Sequence, residues 1–203
     1  MNFVDLMQSF DLTVLDRLQT LEPGSAAERI WKFITLFAES GIFWIVLAVV
    51  LLLFRRTRRW GLAMGIALTL GLIVGNMVLK NAVARIRPYD VNVYYPLIIE
   101  RLTDYSFPSG HTMGALGPAL AIFWYNKKAG IPAVIFAALI SISRLHLYAH
   151  YPSDVLGGAV VALFTSLAGW LLSELIMNRL EPKLDVLSAR VKEKVRSRKG
   201  SSR

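Results

Sequence analysis

Apolar residues collect in five long runs along this chain, at residues 30–54, 60–79, 112–125, 131–147 and 155–177, separated by short polar or basic segments. A helix that crosses a bilayer needs about 20 mostly apolar residues. The third run is short, and it becomes long enough when the turn at 109–111 opens it at the membrane interface. The pattern predicts an all-α fold, an integral-membrane helical bundle of about five transmembrane helices. Ahead of the first run, Leu6, Leu12, Val14, Leu15 and Leu18 are interleaved with polar residues such as Asp5. That spacing predicts an N-terminal amphipathic helix lying on the membrane surface, with a loosely ordered arm as the plainer alternative. Gly61, Gly65, Gly71 and Gly75 recur on the second run, where small residues allow close helix packing.

Composition agrees with a membrane protein. Hydrophobic residues make up 55% of the chain, and there is no cysteine, so disulfides and thiolate metal sites are excluded. The net charge of +9 is held in short blocks between the apolar runs rather than spread over a soluble surface, and nucleic-acid binding is set aside on that ground. Residues 1–29 carry acidic charges and do not read as a secretory signal. The blocks also orient the chain. "RRTRR" at 55–59, "NKK" at 126–128 and a tail after Met177 with nine Lys/Arg against three acids alternate so as to lie on one side. The positive-inside rule makes that side cytoplasmic, which puts the C-terminus inside and the N-terminus outside. A membrane domain at 1–178 and a basic cytoplasmic tail at 179–203 follow from the same pattern.

Every polar cluster with chemical character then falls on the opposite, outer face. The first is "KNAVARIRPYD", with Lys80, Arg85 and Arg87; Arg85 reads equally well as a residue snorkelling to lipid headgroups, and Pro88 as the end of the helix. The second is "PSGH", where Ser109 and Gly110 open a helix whose N-terminal N–H groups suit an anion, with His111 in the first turn. The third is "SRLHLYAHYPSDV", where Pro152 separates two helices and lets His150 and Asp154 face each other, with Arg144 nearby. A carboxylate beside an imidazole holds one ring nitrogen protonated and frees the other as a base or nucleophile. His146, His150 and Asp154 also have metal-like spacing, but Pro152 breaks that register and no fourth ligand is evident. His146 reads as a packed or interfacial residue, and no metal or other cofactor is expected. Cations, backbone donors, two histidines and a carboxylate together suit phosphoryl transfer, with one histidine attacking phosphorus and the other protonating the leaving oxygen.

These motifs resemble the type-2 phosphatidic acid phosphatase superfamily, whose signature is Lys-x6-Arg-Pro, Pro-Ser-Gly-His and Ser-Arg-x5-His-x3-Asp. They stand here as Lys80 to Arg87-Pro88, Pro108-Ser109-Gly110-His111, and Ser143-Arg144 to His150 and Asp154, with every spacing met. The resemblance implies that His150 is the nucleophile that forms a phosphohistidine, that Asp154 orients it, and that His111 is the general acid. It implies that Lys80, Arg87, Ser109, Gly110 and Arg144 hold the phosphate. The family commonly has six spans; the five here, with residues 1–29 in place of the first, resemble the shorter bacterial undecaprenyl-diphosphate phosphatases. The expected protein is thus a bacterial plasma-membrane lipid phosphatase with an extracytoplasmic site, acting on a membrane lipid phosphate. Undecaprenyl diphosphate is the first choice of substrate, ahead of phosphatidylglycerol phosphate and phosphatidic acid. A lipid phosphotransferase using the same site and a non-enzymatic lipid-phosphate binder are the other classes considered. The complete His-His-Asp set argues against the binder, since binding needs only the cations. The 92–102 stretch is expected to be a short interfacial helix or an apolar loop resting on the bilayer, and the sequence carries no signal of oligomeric state.

Overall fold

Helices form wherever the apolar runs predict them, with one division the runs conceal. The computed structural model describes residues 3–18, 24–37, 39–92 and 99–200. Two helices precede the bundle, α1 (Phe3–Leu18) and α2 (Ala26–Leu36). Ser25 caps α2 by accepting from the Glu28 N–H at 3.2 Å, while the Glu28 carboxylate accepts from the Gly24 N–H at 2.6 Å. The expected 30–54 span is therefore not a single helix. It breaks after α2 at Glu39–Gly41, where Gly41 takes φ +66°, a left-handed conformation that ends one helix and redirects the chain into α3 (Ile42–Leu53). The 12 residues of α3 span only about 18 Å, short of the ~30 Å hydrocarbon core.

The rest of the bundle is α4 (Arg58–Gly71), which passes through a π-helical stretch at Leu72–Leu79 into α5 (Lys80–Val83), then α6 (Pro88–Val91), α7 (Gly110–Tyr125), α8 (Lys127–His146) and α9 (Pro152–Gly200). Among the described residues, three helical stretches are long and apolar enough to cross a membrane: Arg58–Val91, which takes in α4 to α6, Lys127–His146 and Pro152–Lys183. The second-run helix does not end at Pro88 as expected. Ala84 ends it by turning left-handed at φ 50°, and Pro88 instead occupies the first turn of α6, where its missing N–H costs nothing. Residues 93–98, most of the stretch expected to be an interfacial helix or loop, lie outside the described residues.

At the centre is α7, packed against α4, α8 and α9. That position accounts for its shortness: other helices rather than lipid cover Ala115, Ala119, Ala121 and Ile122, which are buried with Trp44, Ala63 and Ile140. Small residues make the approach possible. A Cβ on Gly61 would lie 2.4 Å from the Ala48 carbonyl oxygen of α3, and one on Gly169 would lie 2.5 Å from that of Ala63. Gly65, expected to pack in the same way, instead has open space beside it. At the far end of the bundle from Lys80, Arg59 ties α4 to α9 through Glu174 at 2.6 Å and through Glu181.

Candidate active site

Three chain segments meet at one end of the bundle: the α5–α6 connection, the N-terminus of α7, and the turn between α8 and α9. They bring Lys80, Arg87, Gly110, His111 and His150 to the wall of one cavity of about 550 Å³. Ser109, Arg144 and Asp154 stand behind that wall, all buried. Gly110 lies close against the polar lining, where a Cβ would stand 3.2 Å from Asn76 Oδ1 and 3.7 Å from Lys80 Nζ. Ser109 caps α7, accepting from the Thr112 N–H at 3.4 Å, and its own N–H donates to the Asp154 carbonyl at 3.0 Å.

His150 sits in the α8–α9 turn with its two ring nitrogens in different surroundings. Nε2 lies 3.2 Å from Arg87 Nη1 on the cavity side. Nδ1 lies 3.5 Å from Asp154 Oδ2, a long contact. Oδ2 also accepts from the Tyr151 N–H at 2.9 Å and from the Ser106 hydroxyl, while Oδ1 accepts from Arg85 at 2.7 Å. Burial pushes the His150 imidazole down to about 4, with the Arg87 and Arg144 guanidiniums adding to the effect and Asp154 opposing it. At neutral pH the ring is therefore uncharged, the form that carries a lone pair.

The cations are held by the protein's own acceptors. Arg87 donates to the Asp104 carbonyl at 2.9 Å, to the Ala149 carbonyl at 2.8 Å and to the Asp104 carboxylate. Lys80 bonds the other oxygen of that carboxylate. Burial would raise Asp104, but the Lys80 and Arg87 bonds and charges outweigh it and hold the carboxyl below its ordinary value. Arg144 donates to Thr35 Oγ1 of α2 at 2.8 Å, and its buried Nε has no hydrogen-bond partner among the described residues. His146 is not drawn into the cluster; it stacks on Trp31 with centroids 4.6 Å apart. Among the described residues, no group of three or more His, Cys, Asp or Glu side chains is placed to hold a metal.

A family model described as the PAP2 superfamily matches residues 60–177, which contain all three motif clusters. The chain belongs to the PAP2 superfamily. It is 35% identical over 153 residues to the undecaprenyl-diphosphatase BcrC of Bacillus subtilis, covering 75% of this chain and 78% of the relative. It is 33% identical over 178 residues to a decaprenylphosphoryl-5-phosphoribose phosphatase of Mycobacterium tuberculosis, covering 82% and 90%. The crystal structure of a PAP2-type phosphatidylglycerolphosphate phosphatase from Bacillus subtilis superposes with a TM-score of 0.64 at 26% identity, covering 85% and 87%. This PAP2 protein is an enzyme, a lipid phosphatase, and a multi-pass membrane protein.

Several residues around the PAP2 site escape the motif reading. Arg85 does not snorkel to lipid; it turns inward onto Asp154 and stacks 3.8 Å over the Tyr151 ring. Asp104 and Ser106, two residues apart on the loop before α7, reach the cations and the His150–Asp154 pair respectively. The only local signal for them was a polar "TDYS" directly before the Pro-Ser-Gly turn. Away from the charged end, the PAP2 cavity continues between α3 and α4, where Ile45, Ala48, Val49 and Leu52 face Gly65, Leu68 and Leu72. Asn76 interrupts this apolar lining, and its Oδ1 has no partner among the described residues.

Proposed function

We propose that this PAP2 phosphatase removes a phosphoryl group from a long-chain membrane lipid through a phosphohistidine on His150, with undecaprenyl diphosphate as first substrate. The observation that carries the reading is the position of His150 Nε2, facing a cavity whose polar end holds Lys80 and Arg87 and whose other end is an apolar groove. A phosphate at the polar end and a hydrocarbon chain in the groove fit that shape. The neutral imidazole attacks phosphorus through Nε2 while Asp154 holds the proton on Nδ1. Lys80, Arg87, Arg144, the Ser109 hydroxyl and the Gly110 N–H stabilise charge on the equatorial oxygens. The bond from phosphorus to the leaving oxygen breaks, and His111, on the same cavity wall, supplies that oxygen's proton. Water then attacks the phosphohistidine with His111 accepting its proton, and inorganic phosphate leaves. The Asp104 carboxylate occupies the Lys80–Arg87 pair, so substrate phosphate must displace it.

The basic segments before α4 and between α7 and α8 lie at the bundle end remote from this site, which supports a cytoplasmic placement for them and an outer-face site. On this reading the divided α2–α3 run, α4, α7, α8 and α9 make five spans of a bacterial plasma-membrane protein, and residues 179–203 are its basic cytoplasmic extension. Phosphate release in detergent, with and without EDTA, tests the function across undecaprenyl diphosphate, phosphatidylglycerol phosphate, phosphatidic acid and a soluble phosphate ester. Release from the first substrate at the highest kcat/KM, unchanged by EDTA, is expected. Preference for another lipid would reassign the substrate, and loss in EDTA restored by a divalent ion would overturn the proposed chemistry.

A further inference from the structure

The N-terminal helix lies outside the family motifs, yet it completes the surroundings of the carboxylate behind His150. Asp11 of α1 is 1% exposed. Its Oδ2 accepts from Arg85 Nη2 at 2.6 Å and from the Ser153 hydroxyl, and its Oδ1 accepts from the Ser153 N–H at 3.0 Å. The same guanidinium donates through Nη1 to Asp154 Oδ1 at 2.7 Å. A single arginine thus bridges a carboxylate from α1 and the carboxylate that faces His150, across 74 residues of sequence on one side and 69 on the other. Gln8, one turn earlier on α1, accepts from Arg85 at 3.0 Å and donates to the Tyr151 hydroxyl at 3.0 Å.

α1 has attachments besides these charges. Leu15 is already fully buried against Tyr89, Tyr148 and Tyr151, and Tyr148 donates to Asp16 at 2.8 Å. A buried ion triad is a poor way to gain stability, because desolvating the charges offsets most of their attraction and apolar side chains of similar volume do as well or better. What the triad supplies is geometry. With Oδ1 of Asp154 taken by Arg85, Oδ2 alone is left to serve the Tyr151 N–H, Ser106 and His150 Nδ1.

We propose that Asp11 and Arg85 are positioning residues for catalysis, a carboxylate–guanidinium–carboxylate relay through which α1 holds Asp154, and through it His150, in line with the phosphate cradle. The relay rests on the roles proposed above for His150 and Asp154. It acts electrostatically as well as sterically. Arg85 offsets part of the Asp154 charge and so limits how strongly that carboxylate favours a proton on His150. The other charged groups facing His150 are Arg87, Lys80, His111 and Asp104 around the cavity and Arg144 from α8, and none of them touches Asp11.

The test uses the full-length enzyme in detergent, with kcat, KM and the pH dependence of kcat/KM measured for Arg85→Gln, Arg85→Lys, Asp11→Asn, the Asp11→Asn/Arg85→Gln double variant and His150→Ala. Folded enzyme in each preparation is quantified by gel filtration and tryptophan fluorescence. Arg85→Gln is expected to lower kcat on the order of 10²-fold, the scale of a small misplacement of a reacting group, with KM little changed. Its acid limb should move to higher pH, because an uncompensated Asp154 holds a proton on His150 more strongly. Arg85→Lys should return the limb towards its original position while recovering only part of kcat. Asp11→Asn should lower kcat less, and add nothing in the Arg85→Gln background. Wild-type kcat with an unmoved limb in Arg85→Gln would overturn the relay. So would losses that add in the double variant with the limb unmoved, since that is the signature of a contact that only docks α1. If Arg85→Gln does not fold, wild-type kcat in both Arg85→Lys and Asp11→Asn overturns it. An active His150→Ala would remove the reading of the site and the relay together, whereas an inactive His150→Ala beside a wild-type-like Arg85→Gln would remove the relay alone.

Discussion

Arg87 and His150 meet at the cavity wall, with Nη1 3.2 Å from Nε2, so the cation that would bind phosphate already marks the nitrogen that would attack it. Both side chains are almost fully buried. On the proposed mechanism, phosphate oxygens that draw the guanidinium away would free the Nε2 lone pair as phosphorus arrives.

The two histidines should separate by leaving group. His150→Ala is expected to abolish turnover and trapped phosphoenzyme for every substrate. His111→Ala should lose about 10²–10⁴-fold on lipid substrates, whose leaving oxygen needs a proton. With p-nitrophenyl phosphate the need for that proton shrinks, so a single-turnover burst should partly recover in His111→Ala and not in His150→Ala. Phosphate labelling on His111, or identical responses of the two variants, would contradict the assignment.

Acid should inhibit the first step only at unusually low pH. Burial holds His150 at about 4, below the ordinary imidazole range, so the ring stays neutral and nucleophilic as pH falls through 6. As pH drops through the folded value the ring takes up a proton and the lone pair is lost. The acid limb of kcat/KM, corrected for substrate ionisation, is therefore expected near pH 4. A limb at about 6.5, the value of an exposed imidazole, would show that His150 is solvated.

Asp104 bonds both Lys80 and Arg87 and is half exposed, so on the proposed mechanism it would compete with incoming phosphate for the same donors. Asp104→Asn removes the competing charge and should lower the inhibition constants of inorganic phosphate and vanadate several-fold. Weaker inhibition in the variant would mean that Asp104 orders the two cations rather than screening them.

The chain has no cysteine, which makes orientation directly measurable. Cysteines placed at Arg56 and Lys128, both exposed, should react with an impermeant maleimide only after the cytoplasmic side is opened. One at Glu100, also exposed, should react in intact cells. Labelling of Arg56→Cys from outside would invert both the topology and the proposed face of the site.

Much of this protein was determined by the sequence alone, because much of it is local. Long apolar runs dictate membrane helices wherever backbone groups must be satisfied within the segment. The Pro-Ser-Gly-His turn dictates a capped helix N-terminus, and the four-residue spacing across Pro152 places His150 beside Asp154. Where local signals compete, the reading fails. Gly41, at the end of the polar Glu39-Ser40-Gly41 step inside the first apolar run, divides that run, because its left-handed backbone redirects the chain despite the apolar residues on both sides. Ala84, not Pro88, ends the helix carrying Lys80, since proline is welcome in a first turn. What only the tertiary structure decided are the long-range polar pairings. Arg85 has the same charge whether it faces lipid headgroups or two buried carboxylates, and nothing near it in sequence distinguishes these fates. Its partners Asp11 and Asp154 come from opposite ends of the chain, and only the packing of α1 against the α8–α9 turn brings them within hydrogen-bond reach of one guanidinium.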